Sequence, residues 1–117
     1  MSINNVLASV AVKDITIASA WYEKVFGRPG TMPMPDLAEW QFPRGGWLQV
    51  YQLPERAGRG SFTLAVSDIA TEIKKLDAMG LDTSQRSSDS KVKTVMVTDP
   101  DGNYIAFAEA ADPKLAQ

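Results

Sequence analysis

Residues 10–15 read VAVKDI and residues 64–69 read LAVSDI. Each is an apolar, strand-like run that ends in aspartate and isoleucine. Behind each stands a helix-patterned segment closing on a glycine, Gly27 in the first case and Gly80 in the second. A second pair of blocks follows in the same order: Gly45-Gly46-Trp47-Leu48-Gln49-Val50 and Gly102-Asn103-Tyr104-Ile105-Ala106-Phe107. Each is a glycine turn feeding an alternation of period two, the pattern of a strand leaving a hairpin. One matching hexamer arises easily by chance. Two pairs in one order mark an internal duplication, with strand, helix and hairpin written twice.

Local chemistry agrees with that division. Asp14 and Asp68 are placed to cap the two helices, because a short carboxylate accepts from free amide donors and favours the positive helix end. In the second helix Ile69, Ile73 and Leu76 form one stripe, with Glu72, Lys74, Lys75 and Asp77 on the wet side. In the first, Ile17, Trp21 and Val25 share a face flanked by Ala18, Tyr22 and Phe26, and helical spacing makes these core residues. Asp99-Pro100-Asp101-Gly102 is a tight turn. The strand after it carries Ile105 and Phe107 on one face, with Glu109 at its end, and Tyr104, Ala106 and Ala108 on the other. The earlier hairpin runs from Leu37 to Phe42, turns at Pro43-Arg44-Gly45-Gly46, and returns from Trp47 to Leu53. The polar stretch SQRSSDSK, residues 84–91, reads as a mobile loop, and ADPKLAQ, residues 111–117, as a tail.

Composition excludes several functions. The chain has 117 residues with no cysteine and no histidine. Disulfides, thiolate nucleophiles, sulfur-held metals and imidazole bases are therefore out of reach. Twelve basic and 14 acidic residues leave a net charge of −2, with no basic run to grip nucleic acid. No apolar run approaches membrane-spanning length, and the first residues lack the pattern of a signal peptide. These features give the expectation of a single cytoplasmic domain, residues 1–117. Its internal modules span 5–53 and 61–109, joined by the polar linker 54–60.

The segment VKDITIASAWYEKVFG, residues 12–27, and DPDGNYIAF, residues 99–107, resemble the vicinal oxygen chelate superfamily. That superfamily contains glyoxalase I, bleomycin-resistance proteins and extradiol dioxygenases. The resemblance covers roughly residues 5–109. It implies an α+β fold of two tandem βαβββ modules whose curled mixed sheets form a half-open barrel, the glyoxalase/bleomycin-resistance fold. A ferredoxin-like α+β sandwich also duplicates βαβ elements, but the extra hairpin in each half argues against it. The superfamily's metal enzymes place one ligand on each of four strands. Carried over by motif, those positions are Leu7, Gln49, Ser61 and Ala106. One amide and one hydroxyl cannot supply a divalent site. The resemblance thus implies a member without metal or other cofactor, and metal-dependent glyoxalase or dioxygenase activity is not supported.

The resemblance also implies a cavity, and alternation assigns its lining. The expected ligand-binding residues are Trp40, Phe42, Trp47, Gln49, Tyr51, Ser61, Thr63 and Tyr104. Leu7, Ser9 and Ala11 share the face in the first strand. A one-residue slip in the hairpin would flip Trp40 and Phe42. Asp36 and Glu39 near its mouth have two readings, an acid or base beside the cavity and, more commonly for such carboxylates, a solvated surface charge. Such an aromatic lining suits a small planar or amphipathic molecule. Three functions follow: a metal-independent binding protein of the bleomycin-resistance type, a metal-independent lyase or isomerase, or a non-catalytic interaction scaffold. The partners implied are a small-molecule ligand and a second copy of the chain, with no nucleic acid and no membrane.

Overall fold

The computed structural model describes residues 2–112; the end of the expected tail, 113–117, lies outside them. The elements run β1 (Leu7–Val12), α1 (Ile15–Phe26), β2 (Thr31–Met34), β3 (Leu37–Gln41), β4 (Trp47–Gln52), a 3-10 turn (Pro54–Arg56), β5 (Ser61–Ala65), α2 (Ile69–Ala78), β6 (Gln85–Ser88), β7 (Val92–Thr98) and β8 (Tyr104–Ala110). The βαβββ order thus occurs twice. The strands form two mixed four-stranded sheets, β1-β4-β3-β2 and β5-β8-β7-β6, and neither closes into a barrel. The outer pairs β1/β4 and β5/β8 are parallel and the rest antiparallel. Two compact units result. The first is the chain through Gly60 together with Asp99–Asn103; the second is Ser61–Thr98 with the chain from Tyr104 onward.

Helix ends form as the sequence predicts. Asp14 Oδ1 accepts from the amides of Thr16 (2.9 Å) and Ile17 (3.2 Å), and Asp68 Oδ1 from Thr71 (3.3 Å). Gly27 closes α1, while Gly80 follows the last turn of α2, where Leu81 N donates back to Leu76 O (3.1 Å). A further cap is duplicated. Gln52 Oε1 accepts from Ile15 N (2.9 Å), and Glu109 Oε1 from Ile69 N (2.8 Å). In each unit the end of the central strand that runs parallel to the first therefore satisfies the first helical donor.

Two readings of the sequence are corrected. The buried stripe of α1 is Ile15, Ala18, Tyr22 and Val25, while Ile17 is 61% exposed. Apolar residues occur all around this helix, so periodicity alone leaves its phase open. Residues 85–88 are not loop but an edge strand, paired with β7 from Gln85 opposite Met96 to Ser88 opposite Lys93. Its side chains are all exposed, so no alternation marks it.

The first core packs α1 against Ala38, Trp40, Leu48 and Val50, with Val10 and Val12 of β1 buried on the same side of the sheet; the second packs α2 against Val95, Val97, Ile105 and Phe107. Burying each larger side chain contributes about 1.5–3 kcal/mol. The first unit also contains a buried polar knot. Asp99 Oδ2 accepts from the Tyr22 hydroxyl (2.8 Å) and Asn103 Nδ2 (2.8 Å), while Oδ1 accepts from the amides of Asp101 and Asn103 (both 2.9 Å). Asn103 also donates to Ala11 O (2.9 Å) and accepts from Gly60 N (2.8 Å). Burial, and then the Asp99 carboxylate, push the Tyr22 hydroxyl far above the usual phenol range, so it stays a donor. Gly58 sits against this knot at φ +85°, where a Cβ would lie 2.4 Å from Asp101 O.

Asn103→Ala strands a buried amide and a buried carbonyl, so it is expected to lower unfolding stability by about 3 kcal/mol. Tyr22→Phe, which leaves Asp99 three other donors, is expected to cost about 1 kcal/mol. Urea denaturation of both variants checks that order.

Candidate functional site

In the first sheet α1 covers one face. Strand alternation leaves Trp47, Gln49 and Tyr51 of β4 on the other, each half-buried. Register sets their neighbours. Ser9, Gln49 and Glu39 lie side by side across β1, β4 and β3; Leu7, Trp47 and Gln41 form the row on one side of them, and Ala11, Tyr51 and Leu37 the row on the other. Neighbouring side chains in such rows sit about 4.5–5.5 Å apart at Cβ, close enough to bond.

The middle row is bonded along its length. Ser9 Oγ donates to Gln49 Oε1 (2.9 Å), and Gln49 Nε2 donates to Glu39 Oε2 (2.8 Å). The carboxylate only accepts, so it turns Nε2 of the amide toward itself, and the serine hydroxyl donates to the oxygen left at the other end. Glu39 is half-buried, and among the described residues no lysine or arginine pairs with it. The resulting face is an anionic polar row flanked by Trp47 on one side and Tyr51 on the other. It can accept hydrogen bonds and stack on planar groups.

Trp40 and Phe42 are on the opposite face, which corrects their expected place beside Gln49. Trp40 is fully buried, stands opposite Leu48, and donates from Nε1 to Arg28 O (3.0 Å). Its ring lies 5.3 Å from that of Phe26 and 6.0 Å from that of Tyr22. Phe42 packs edge-on to Phe26 at 5.3 Å, with the Arg28 guanidinium over its ring. Loop length is the cause. Phe42 N donates to Gly46 O (2.8 Å) and Gly45 N to Phe42 O (2.9 Å), closing a three-residue loop with Gly45 at φ +97°. A four-residue turn would set Trp40 opposite Gln49; the shorter loop shifts pairing by one and sets Glu39 there instead. The Gly45-Gly46 pair left both lengths open, so the sequence reading missed Glu39 as a partner of Gln49.

In the second unit Ser61, Thr63 and Tyr104 share the face away from α2. Ser61 stands opposite Tyr104 and Thr63 opposite Ala106, with Thr98 and Met96 next across the sheet. Tyr104 is 47% exposed. A depression of about 250 Å³ elsewhere in this unit, bordered by Ile69, Ile73, Arg86 and Lys93, contains none of the predicted site residues.

The donor set does not fit a divalent cation. Leu7 and Ala106 carry no donor atom, Ser61 offers one hydroxyl, and both amide atoms of Gln49 are engaged along the polar row. Among the described residues no three His, Cys, Asp or Glu side chains cluster as a metal site would need.

No family model and no curated protein sequence matches the chain. Among solved structures it is similar to a glyoxalase/bleomycin resistance protein from Catenulispora acidiphila DSM 44928, with 34% identity over 90% of this chain and 96% of that one, at a TM-score of 0.79. It is similar in fold to TnmS3, an antibiotic binding protein from Streptomyces sp. CB03234, with 22% identity, 95% and 99% coverage and a TM-score of 0.82. A lactoylglutathione lyase from Agrobacterium tumefaciens shares the fold at 18% identity, 91% and 92% coverage and a TM-score of 0.75.

The two tryptophans should respond differently to truncation. Trp40→Ala is expected to cost about 3–5 kcal/mol of stability, as a large cavity in the core does. Trp47→Ala, on the uncovered face, is expected to cost under about 1 kcal/mol. Urea midpoints of the two variants test the face assignment.

Proposed function

The chain belongs to the glyoxalase/bleomycin-resistance protein family, and from that premise we propose that it binds a small planar or amphipathic molecule without a metal ion. One observation carries this reading: the Ser9–Gln49–Glu39 row lies between Trp47 and Tyr51 on the sheet face that α1 leaves uncovered. Aromatic rings beside a few oriented polar groups are what a small-molecule site needs, the rings for contact area and the polar groups for orientation. Each ring stacked on the ligand contributes about 0.5–1.5 kcal/mol beyond area burial. The side chains at the four metal-ligand positions support the metal-free part of the proposal.

Ser61, Thr63 and Tyr104 are proposed as lining residues of the second unit in their own right. The protein acts in the cytoplasm as a homodimer in this reading, as family members often do. No helix among the described residues is long and apolar enough to cross a membrane.

A metal-independent lyase or isomerase has one observation in its favour, the Glu39 carboxylate on the ligand face. A lone carboxylate held by an amide offers no nucleophile–base couple, so binding is the function stated.

Tryptophan fluorescence during a screen of planar aromatic compounds tests the proposal. A saturable change that disappears in Trp47→Ala and persists in Trp21→Phe is the expected outcome. Silence across the screen would favour the scaffold reading. Added zinc or nickel is expected to leave the melting temperature unchanged; a rise that saturates at one metal per chain would overturn the metal-free reading.

A further inference from the structure

Glu39 is the one charged group in the polar row, and its carboxylate is only partly used. Gln49 Nε2 donates to Oε2, while no described residue bonds Oε1. No basic side chain among the described residues neutralises it. A half-buried carboxylate without a counter-ion is an electrostatic cost that a cation can relieve. Its surroundings suit one kind of cation. The rows beside it carry Trp47 and Tyr51, and aromatic faces attract ammonium and amidinium groups through their quadrupoles. Gln49 presents Nε2 to the carboxylate and has its Oε1 engaged by the Ser9 hydroxyl, so the amide supplies one neutral donor and no charge.

We propose that the ligand of this face is a cationic aromatic or amphipathic amine, its ammonium group bound by Glu39 between Trp47 and Tyr51. The inference rests on the ligand-binding reading above and adds the sign of charge. A neutral isostere would leave the carboxylate uncompensated, and an anion would be repelled by it, so charge discriminates where apolar area would not.

Three probes of one shape separate the possibilities: 1-naphthylmethylamine, 1-naphthylmethanol and 1-naphthoate, titrated calorimetrically into the native chain. The amine is expected to bind about tenfold more tightly than the alcohol, and the acid more weakly than either. In Glu39→Gln, which keeps an oxygen for Gln49 to donate to, the amine-to-alcohol ratio is expected to collapse to about one. In Glu23→Gln, a carboxylate on the exposed side of α1, the ratio should stay as in the native chain, which excludes an effect of net charge. Raising salt from about 50 mM to about 500 mM should lower the native ratio, a readout that needs no variant. Equal binding of amine and alcohol, or a preference that survives Glu39→Gln, overturns the cation assignment and leaves the ligand-binding reading standing. Failure of all three probes overturns both.

Discussion

The first unit depends on a carboxylate that arrives late in the chain. Asp99 is 4% exposed and Asn103 is fully buried, yet both are polar. Burying them is tolerable only because every available partner is used. Asp99 takes four hydrogen bonds, and Asn103 bridges Ala11 O, Gly60 N and Asp99. Asp101 Oδ2 accepts from Lys13 N (3.1 Å), one residue before the cap of α1. Without residues 99–103, the end of β1, the amide of Lys13 and the amide of Gly60 would lose these partners. The polar row depends on the same strand, since Ser9 reaches Gln49 only in the parallel register that β1 keeps with β4.

Duplication explains which positions could diverge. Asp14 and Asp68 cap their helices, and Gln52 and Glu109 reach the first helical amide from equivalent strand ends. An oxygen acceptor is needed at each of these places in both halves, because a helix start without one leaves donors unsatisfied. The uncovered sheet faces carry no such requirement. One holds Ser9, Gln49 and Glu39 in a bonded row; at the matching level the other holds Thr63, Ala106 and Met96. The halves share a scaffold and differ in surface chemistry.

What the sequence made legible was local or repeated. The caps and the split of Ile105 and Phe107 from Tyr104 each follow from a few neighbouring residues, and the structure carries them; of the α2 stripe it buries Ile69 and Leu76 and leaves Ile73 half-buried. Three features escaped for distinct physical reasons. The phase of α1 was hidden by apolar residues on every side, and the sheet it packs on selects Tyr22 over Ile17. Strand β6 pairs through its backbone with no side chain buried, so hydrophobic alternation is blind to it. The faces of β3 turned on whether its hairpin loop held three residues or four, a difference that only backbone hydrogen bonds decide.

That last difference reaches into the chemistry. Had the loop been one residue longer, Trp40 and Phe42 would join Trp47 and Tyr51, and Glu39 would turn toward α1. Such a face would hold its ligand through contact area and stacking, which distinguish little between molecules of similar shape. With the three-residue loop, two of those aromatics turn to the α1 side, where Trp40 is buried against Phe26 and Tyr22 and Phe42 packs half-buried on Phe26. The face loses stacking surface and gains a carboxylate held in one orientation by an amide that is itself held. In the proposed reading, contact strength is exchanged for discrimination, because a fixed charge would penalise a ligand that cannot answer it. A single residue of loop length, enforced by Gly45 in its left-handed conformation, thus decides whether the sheet presents a largely apolar aromatic surface or one that carries a carboxylate beside its aromatic rows.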